Sequence, residues 1–170
     1  MKPLLLVDGY NIIGAWPQAV REGWPIEASR ERLQRALEDY AGYAGVEVVL
    51  VFDGHHSENR RRARELAGAL TVVFTRQGET ADHYIEAVAA RHPKYRPLQV
   101  ATSDRVEQTV VMGRGAIRIS ARELLEELAE VRARGGRAHA ADTASHRNRL
   151  EDRLPPEQRE RLERMRRSDK

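Results

Sequence analysis

Short apolar segments alternate with segments of helical periodicity through most of this chain, and this alternation strongly restricts its fold. The apolar segments are rich in Val, Ile and Leu, with little polar alternation, which is typical of strands buried on both faces. They occupy residues 4–7, 46–52, 70–75, 98–102 and 116–119. The pattern predicts a three-layer α/β/α protein with a mostly parallel central sheet and right-handed crossovers.

One helix is predicted after each strand. The predicted helices cover residues 29–43, 58–67, 80–91, 103–112 and 121–134. Ser120, followed three residues later by Glu123, forms the capping box expected at the start of the last helix. His92 and Pro93 mark the end of the third, because the residue before a proline disfavours helical geometry.

The composition changes after residue 135, where large apolar residues become scarce. We predict a globular domain over residues 1–135 and a basic, charged C-terminal arm with a short helix over residues 136–170. Residues 132–149 contain five arginines and one aspartate, so the start of the arm can bind an anion or can simply be a solvated tail. The formal net charge of +3 is compatible with a polyanionic partner but does not require one.

The chain contains no cysteine, which excludes disulfide frameworks, cysteine nucleophiles and cysteine-based metal clusters. Its first apolar run is only four residues long, too short for the core of a secretory signal. Its other apolar runs are far shorter than the roughly 20 residues of a membrane span. We therefore expect a cytoplasmic protein without a membrane partner.

Four aspartates occupy comparable places in the predicted fold. Asp8, Asp53 and Asp104 each follow a predicted strand, and Asp82 lies in the first turn of the helix after the third strand. Ligands of open α/β sheets bind outside the carboxyl ends of the strands, so these side chains are expected to converge. Each aspartate taken singly could instead cap a helix or form a turn.

Clustered carboxylates repel one another, and the simplest compensation is a bound cation. The predicted ligands are hard oxygens, which favour Mg²⁺ or Mn²⁺ over zinc. Because Mg²⁺ commonly takes further ligands from a phosphate, the cluster predicts a phosphoester substrate.

Two polar residues accompany the aspartates. Asn11 stands three residues after Asp8 and could orient a water or a phosphate oxygen. Ser103 precedes Asp104 at a predicted helix start, where exposed N–H groups favour an anion. Either residue could equally act only as a cap.

Four motifs in order resemble the YacP-type branch of the NYN domains, within the PIN-like nuclease superfamily. The motifs are VDGYNIIGAWP at 7–17, VFDG at 51–54, ETADHYIE at 79–86 and VATSDRVEQ at 100–108, and the match covers about residues 2–135. The resemblance implies a PIN-like fold and metal-dependent endonucleolytic cleavage of RNA. It further implies messenger RNA on the translating ribosome as the substrate.

Carried onto this sequence, the resemblance places the metal centre on Asp8, Asp82 and Asp104, with Asn11 and Ser103 in support. Asp53 matches a family position but could brace its loop instead of binding metal. His55 and His56 have no role assigned by the pattern.

RNA binding also requires positive charge. The predicted contacts are arginines between the second and third predicted strands and at the start of the arm: Arg60, Arg61, Arg62, Arg64, Arg132, Arg134 and Arg137. If these arginines contact phosphates, the affinity for RNA should fall steeply as the salt concentration rises. Alternatively, they form an ordinary solvated face that does not contact RNA. Trp16 and Trp24 could stack on bases or pack over the long loop predicted after the first strand.

Two other classes compete with the nuclease. A haloacid-dehalogenase-like phosphatase also carries an aspartate after its first strand, but it requires a second one two residues later, where this chain has Tyr10. Alternatively, the protein binds a ribosome or another RNA without catalysis, and the acidic cluster only organises the fold. The oligomeric state is left open.

Overall fold

The computed structural model describes residues 1–54, 63–103 and 115–135. Its six strands form one sheet in the order β3-β4-β2-β1-β5-β6. The strands are β1 Leu4–Asp8, β2 Glu47–Phe52, β3 Ala63–Ala67, β4 Leu70–Phe74, β5 Leu98–Ala101 and β6 Ile117–Ile119. All neighbouring pairs are parallel except β3 with β4, which confirms the predicted mostly parallel sheet. The edge where the parallel strands end is called the carboxyl edge below.

Four helices have defined bounds: α1 Gly9–Gly14, α2 Pro17–Glu22, α3 Ile26–Ala44 and α4 Ala81–Arg91. Residues 121–135 are also helical and are called α5. The predicted boundary signals are confirmed. Ser120 Oγ accepts from the N–H of Glu123 at 3.2 Å, and the Glu123 carboxylate accepts from the N–H of Ser120 at 2.7 Å.

One face of the sheet packs against α1, α3 and α5. Leu5 and Val7 of β1 contribute to this core, together with Leu33 of α3 and Leu124 of α5, and all four are fully buried. Alternate residues of a strand point to opposite faces, so Leu4 and Leu6 face the other side. There they join a second core with Ile85 of α4. The sheet therefore separates two helical layers, as predicted.

The predicted helix over residues 58–67 is wrong in its described part. Residues 63–67 form β3, which pairs antiparallel with β4 at the edge of the sheet. Gly68, with φ of 60°, begins the two-residue turn between these strands. Here the hydrogen bonds offered by the open edge of β4 outweigh the helical propensity of the local sequence.

The long loop predicted after the first strand is also wrong, because α1 and α2 lie there. Asp8 caps α1, and Pro17 occupies the first turn of α2, where its missing N–H is not needed. Each helix has only six residues, too few for a clear helical period.

Several predictions fall outside the described residues. They are most of the helix at 103–112, the arm at 136–170, and the side chains of Asp104, His55, His56, Arg60, Arg61, Arg62 and Arg137. In the ranges that the structure describes, no helix is long and apolar enough to cross a membrane.

Candidate active site

Asp8 is the last residue of β1 and lies half-buried at the carboxyl edge. Its Oδ1 accepts a hydrogen bond from the N–H of Asn11 at 3.4 Å, which caps α1. The following residue must be small, because a Cβ on Gly9 would lie 2.4 Å from Cε1 of Phe52. The Asp-Gly pair thus turns the chain from strand to helix directly over the core.

Asn11 joins the segment after β1 to the segment after β5. Its Oδ1 accepts from the N–H of Ser103 at 2.7 Å and from the Ser103 hydroxyl at 2.5 Å. The side-chain NH₂ group of Asn11 therefore points away from Ser103. The structure thus brings these two predicted site residues together, and the Ser103 hydroxyl proton is directed at Asn11.

Asp82 lies half-buried in the first turn of α4. Thr80 caps this helix by accepting from the N–H of His83 at 3.2 Å. Helix α4 follows β4, so it begins at the carboxyl edge, and Ala81 belongs to the same buried cluster as Leu6. Asp8 shares the strand face of Leu6. Asp8 and Asp82 therefore stand at one edge of the sheet and on the same side of it.

Asp53 follows β2, in a loop that Thr75 holds in place. The hydroxyl of Thr75 accepts from the N–H of Gly54 at 2.8 Å and donates to the carbonyl of Glu79 at 2.7 Å. Thr75 is only 2% exposed. One buried hydroxyl therefore links the loop that carries Asp53 to the loop that leads into Asp82.

Gly54 is also required by the close approach of the Thr75 backbone, because a Cβ at position 54 would lie 1.8 Å from the carbonyl oxygen of Thr75. Thr75 is not among the site residues predicted from the sequence. The available signal was its position, at the end of a predicted buried strand and four residues before the ETADHYIE motif.

Two described carboxylates, Asp8 and Asp82, have the hard oxygen donors that Mg²⁺ or Mn²⁺ prefers. Within residues 1–54, 63–103 and 115–135, no group of three or more His, Asp or Glu side chains could hold a metal ion. Asp53 therefore does not complete a three-residue group with Asp8 and Asp82. The donor chemistry fits a divalent metal, and the predicted third ligand, Asp104, follows directly after the described residue Ser103.

The described arginines of the predicted RNA contacts lie in different places. Arg64 is exposed on β3, Arg132 lines a groove between α3 and α5, and Arg134 belongs to the last turn of residues 121–135. Their binding role stays a prediction.

The two tryptophans pack against each other. The rings of Trp16 and Trp24 meet edge to face at 5.3 Å. The guanidinium carbon of Arg32 lies 4.1 Å from the Trp24 ring centre. These contacts agree with the alternative that the two tryptophans pack within the protein instead of stacking on bases.

The three-layer α/β fold with acidic residues at its carboxyl edge agrees with an NYN domain, a class that belongs to the PIN-like nuclease superfamily. The family model of the YacP-like NYN domain matches residues 5–167. The chain belongs to this YacP-like NYN family.

Similar proteins of known sequence or structure support this family assignment. The chain is 41% identical over 133 residues to the uncharacterized protein YacP of Bacillus subtilis strain 168, covering 77% of this chain and 78% of that protein. A crystal structure of a mutant of Rae1 (YacP) from Bacillus subtilis has a TM-score of 0.69 at 36% identity, covering 96% of this chain and 99% of that one. A second Rae1 (YacP) structure from Bacillus subtilis has a TM-score of 0.68 at 35% identity, with 98% and 95% covered.

Proposed function

We propose that this protein is a divalent-metal-dependent endoribonuclease that hydrolyses RNA phosphodiester bonds. The observation that carries the proposal is the position of Asp8 and Asp82 at one edge and on one side of the sheet. The two carboxylates come from separate elements of the fold, since Asp8 ends β1 and Asp82 lies in the first turn of α4. Membership of a nuclease superfamily supports the same chemistry.

Asp8, Asp82 and Asp104 would hold Mg²⁺ or Mn²⁺, whereas Asp53 would brace the loop after β2. When bound, such an ion lowers the pKa of water and stabilises the charge that develops on the phosphate oxygens. The carboxylates themselves contribute negative charge and fixed oxygen positions, and the cap from Asp8 to Asn11 holds the first of them at the strand end.

Asn11 would contact the substrate, and Ser103 would position Asn11. The Ser103 hydroxyl and N–H both donate to the Asn11 oxygen, which fixes the plane of the amide. The Asn11 NH₂ group then donates to a phosphate oxygen or to the attacking water. Preorganised donors of this kind stabilise charge without having to reorient during the reaction.

The proposed substrate is messenger RNA on the translating ribosome. Arg60, Arg61, Arg62, Arg64, Arg132, Arg134 and Arg137 are the proposed phosphate contacts. The ribosome would be the partner that presents the RNA, and a ribosomal substrate would place the reaction in the cytoplasm. The same RNA, tested free and in a stalled ribosome complex, separates a general ribonuclease from a ribosome-dependent one.

Neutral substitutions of the acids test the reaction. We expect Asp8→Asn and Asp82→Asn to reduce Mn²⁺-dependent RNA cleavage by at least about 100-fold, while RNA affinity measured in EDTA stays within a few-fold. Asp39→Asn, an exposed acid on α3, is the matched control and should cleave normally. Undiminished cleavage by Asp8→Asn or Asp82→Asn would remove that residue from the site.

The competing classes predict other results. RNA binding without cleavage at any Mn²⁺ concentration would favour the non-catalytic alternative. Hydrolysis of a small phosphomonoester would favour a phosphatase, although the position where that chemistry requires an acid holds Tyr10, whose ring packs 5.0 Å from Phe52.

A further inference from the structure

Three aromatic rings form a row at the carboxyl edge, on the side of the sheet that faces α3. The ring centres of Tyr10 and Phe52 are 5.0 Å apart, and those of Phe52 and Phe74 are 5.4 Å apart. Each ring adjoins the candidate site in sequence, because Tyr10 follows the Asp8-Gly9 turn, Phe52 precedes Asp53, and Phe74 precedes Thr75. Phe52 is buried, whereas Tyr10 and Phe74 are partly exposed.

Arg30 of α3 reaches this row. Its Nη1 donates a hydrogen bond to the Tyr10 hydroxyl at 3.3 Å, and its guanidinium carbon lies 6.0 Å from the centre of the Phe74 ring. The Arg30 side chain is 30% exposed. The two contacts hold the guanidinium group at the carboxyl edge while leaving part of it open to solvent.

The charge of Arg30 is only weakly compensated in the part of the chain that the structure describes. The ion-pair partner there is Glu27, at 3.8 Å, and the Glu27 side chain is 70% exposed. A pair at this distance and exposure is screened by water and worth little. Arg35, by contrast, is 74% exposed and lies 3.3 Å from Glu31, which makes it an ordinary surface arginine.

A guanidinium group held in this way suits a phosphate. It has five N–H donors in a planar fork that matches two phosphate oxygens. The contacts with Tyr10 and Phe74 restrict its rotamers before any ligand arrives, so less entropy is lost on binding.

We propose that Arg30 binds a backbone phosphate of the RNA strand and that Tyr10 is its positioning residue. The proposal rests on the proposed ribonuclease function and extends it, since Arg30 lies on the α3 side of the edge and Asp8 on the α4 side. The RNA strand therefore crosses the carboxyl edge, with one phosphate at the acidic residues and another at Arg30.

RNA binding without turnover tests this contact. The probe is a single-stranded RNA oligonucleotide, titrated in EDTA with the full chain at several KCl concentrations. We expect Arg30→Gln to weaken binding roughly tenfold at low salt and to reduce the slope of log K against log salt by about 0.7, the value for one phosphate contact on a single strand. Arg35→Gln, on the same helix, should leave both quantities unchanged.

Two further variants keep the test decisive if Arg30→Gln does not fold. Arg30→Lys retains the charge but loses the fork, so it should keep the salt slope and bind more weakly. Tyr10→Phe retains the ring but loses the hydroxyl, so it should also bind more weakly. An unchanged affinity in Tyr10→Phe and Arg30→Lys, or an unchanged salt slope in folded Arg30→Gln, would overturn the proposal.

Failure of this contact and failure of the nuclease are separable. If Arg30→Gln shows the same salt dependence as the unaltered chain and Mn²⁺-dependent cleavage is observed, the nuclease function is retained and only the Arg30 contact is rejected. No cleavage together with an Arg30-dependent salt slope would reject the nuclease and retain the contact. No RNA binding by the unaltered chain would overturn both.

Discussion

The side-chain oxygen of Asn11 accepts two hydrogen bonds from Ser103, one from its N–H at 2.7 Å and one from its hydroxyl at 2.5 Å, although 92 positions separate the residues. The contact is possible because β1 and β5 are parallel neighbours and both end at the carboxyl edge. The contact joins the VDGYNIIGAWP motif to the VATSDRVEQ motif and holds Ser103, the residue that directly precedes Asp104, in place.

We expect Asn11→Ala to impair the site more than Ser103→Ala. The first change leaves both Ser103 donors without this acceptor, whereas the second keeps the backbone hydrogen bond to Asn11. Because these hydrogen bonds are exposed, losing the side-chain acceptor should cost about 0.5–1.5 kcal/mol. The double variant should be non-additive because the residues are in contact. Thermal unfolding and RNA cleavage of the four proteins measure this coupling. Equal effects of the two single changes, or strict additivity, would contradict it.

Gly54→Ala should destabilise the fold by more than about 3 kcal/mol, because its Cβ would lie 1.8 Å from the Thr75 carbonyl oxygen. Gly42→Ala in α3 is the matched control, since nothing lies within 4 Å of a Cβ there. It should stabilise by about 0.5–1 kcal/mol through helix propensity. Urea unfolding of both variants checks the opposite signs, and a tolerated Gly54→Ala would refute the close approach.

Thr75→Val should lower both stability and cleavage. Valine keeps the shape but leaves the Gly54 N–H and the Glu79 carbonyl without their buried partner, at a cost of about 1–3 kcal/mol. Thr75→Ser retains the hydroxyl and should restore most of the cleavage. Measuring kcat and KM separately distinguishes a displaced site from a less stable fold, and equal kcat for the valine and serine variants would argue against a positioning role.

Tyr40 predicts an alkaline limit to stability. Burial raises the pKa of the Tyr40 hydroxyl above the ordinary tyrosine value, and its 2.6 Å hydrogen bond to Glu127 raises it further. The folded state therefore retains this proton at a pH where the unfolded chain releases it. The contribution is complete below the unfolded tyrosine pKa of about 10 and is lost as pH rises through the folded pKa.

Tyr40→Phe tests that limit. At neutral pH it should cost about 1–2 kcal/mol, because it removes the link between α3 and α5. Above about pH 10 its free energy of unfolding should fall less steeply with pH than that of the unaltered chain. Glu127→Gln keeps an acceptor and should be milder at neutral pH. Parallel pH profiles for Tyr40→Phe and the unaltered protein would show that Tyr40 does not contribute.

The sequence by itself determined the framework of this protein. Buried strands such as β1 and β5 need apolar residues on both faces, so their composition predicted them nearly to the residue. The capping box at Ser120 and the stop at His92 were equally readable, because these signals act within a few positions. The same local information predicted Asp8, Asn11, Asp82 and Ser103 as candidate site residues.

Only the tertiary structure decided the contacts between distant segments. The pairing of β3 with β4, the Asn11–Ser103 hydrogen bonds, the Thr75 link and the approach of Arg30 to Tyr10 all join residues from separate elements. Their free energies depend on which strands become neighbours and on which side chains are desolvated together. A local sequence pattern does not specify the neighbouring strands or the side chains that are buried together, because both are set only when the chain packs.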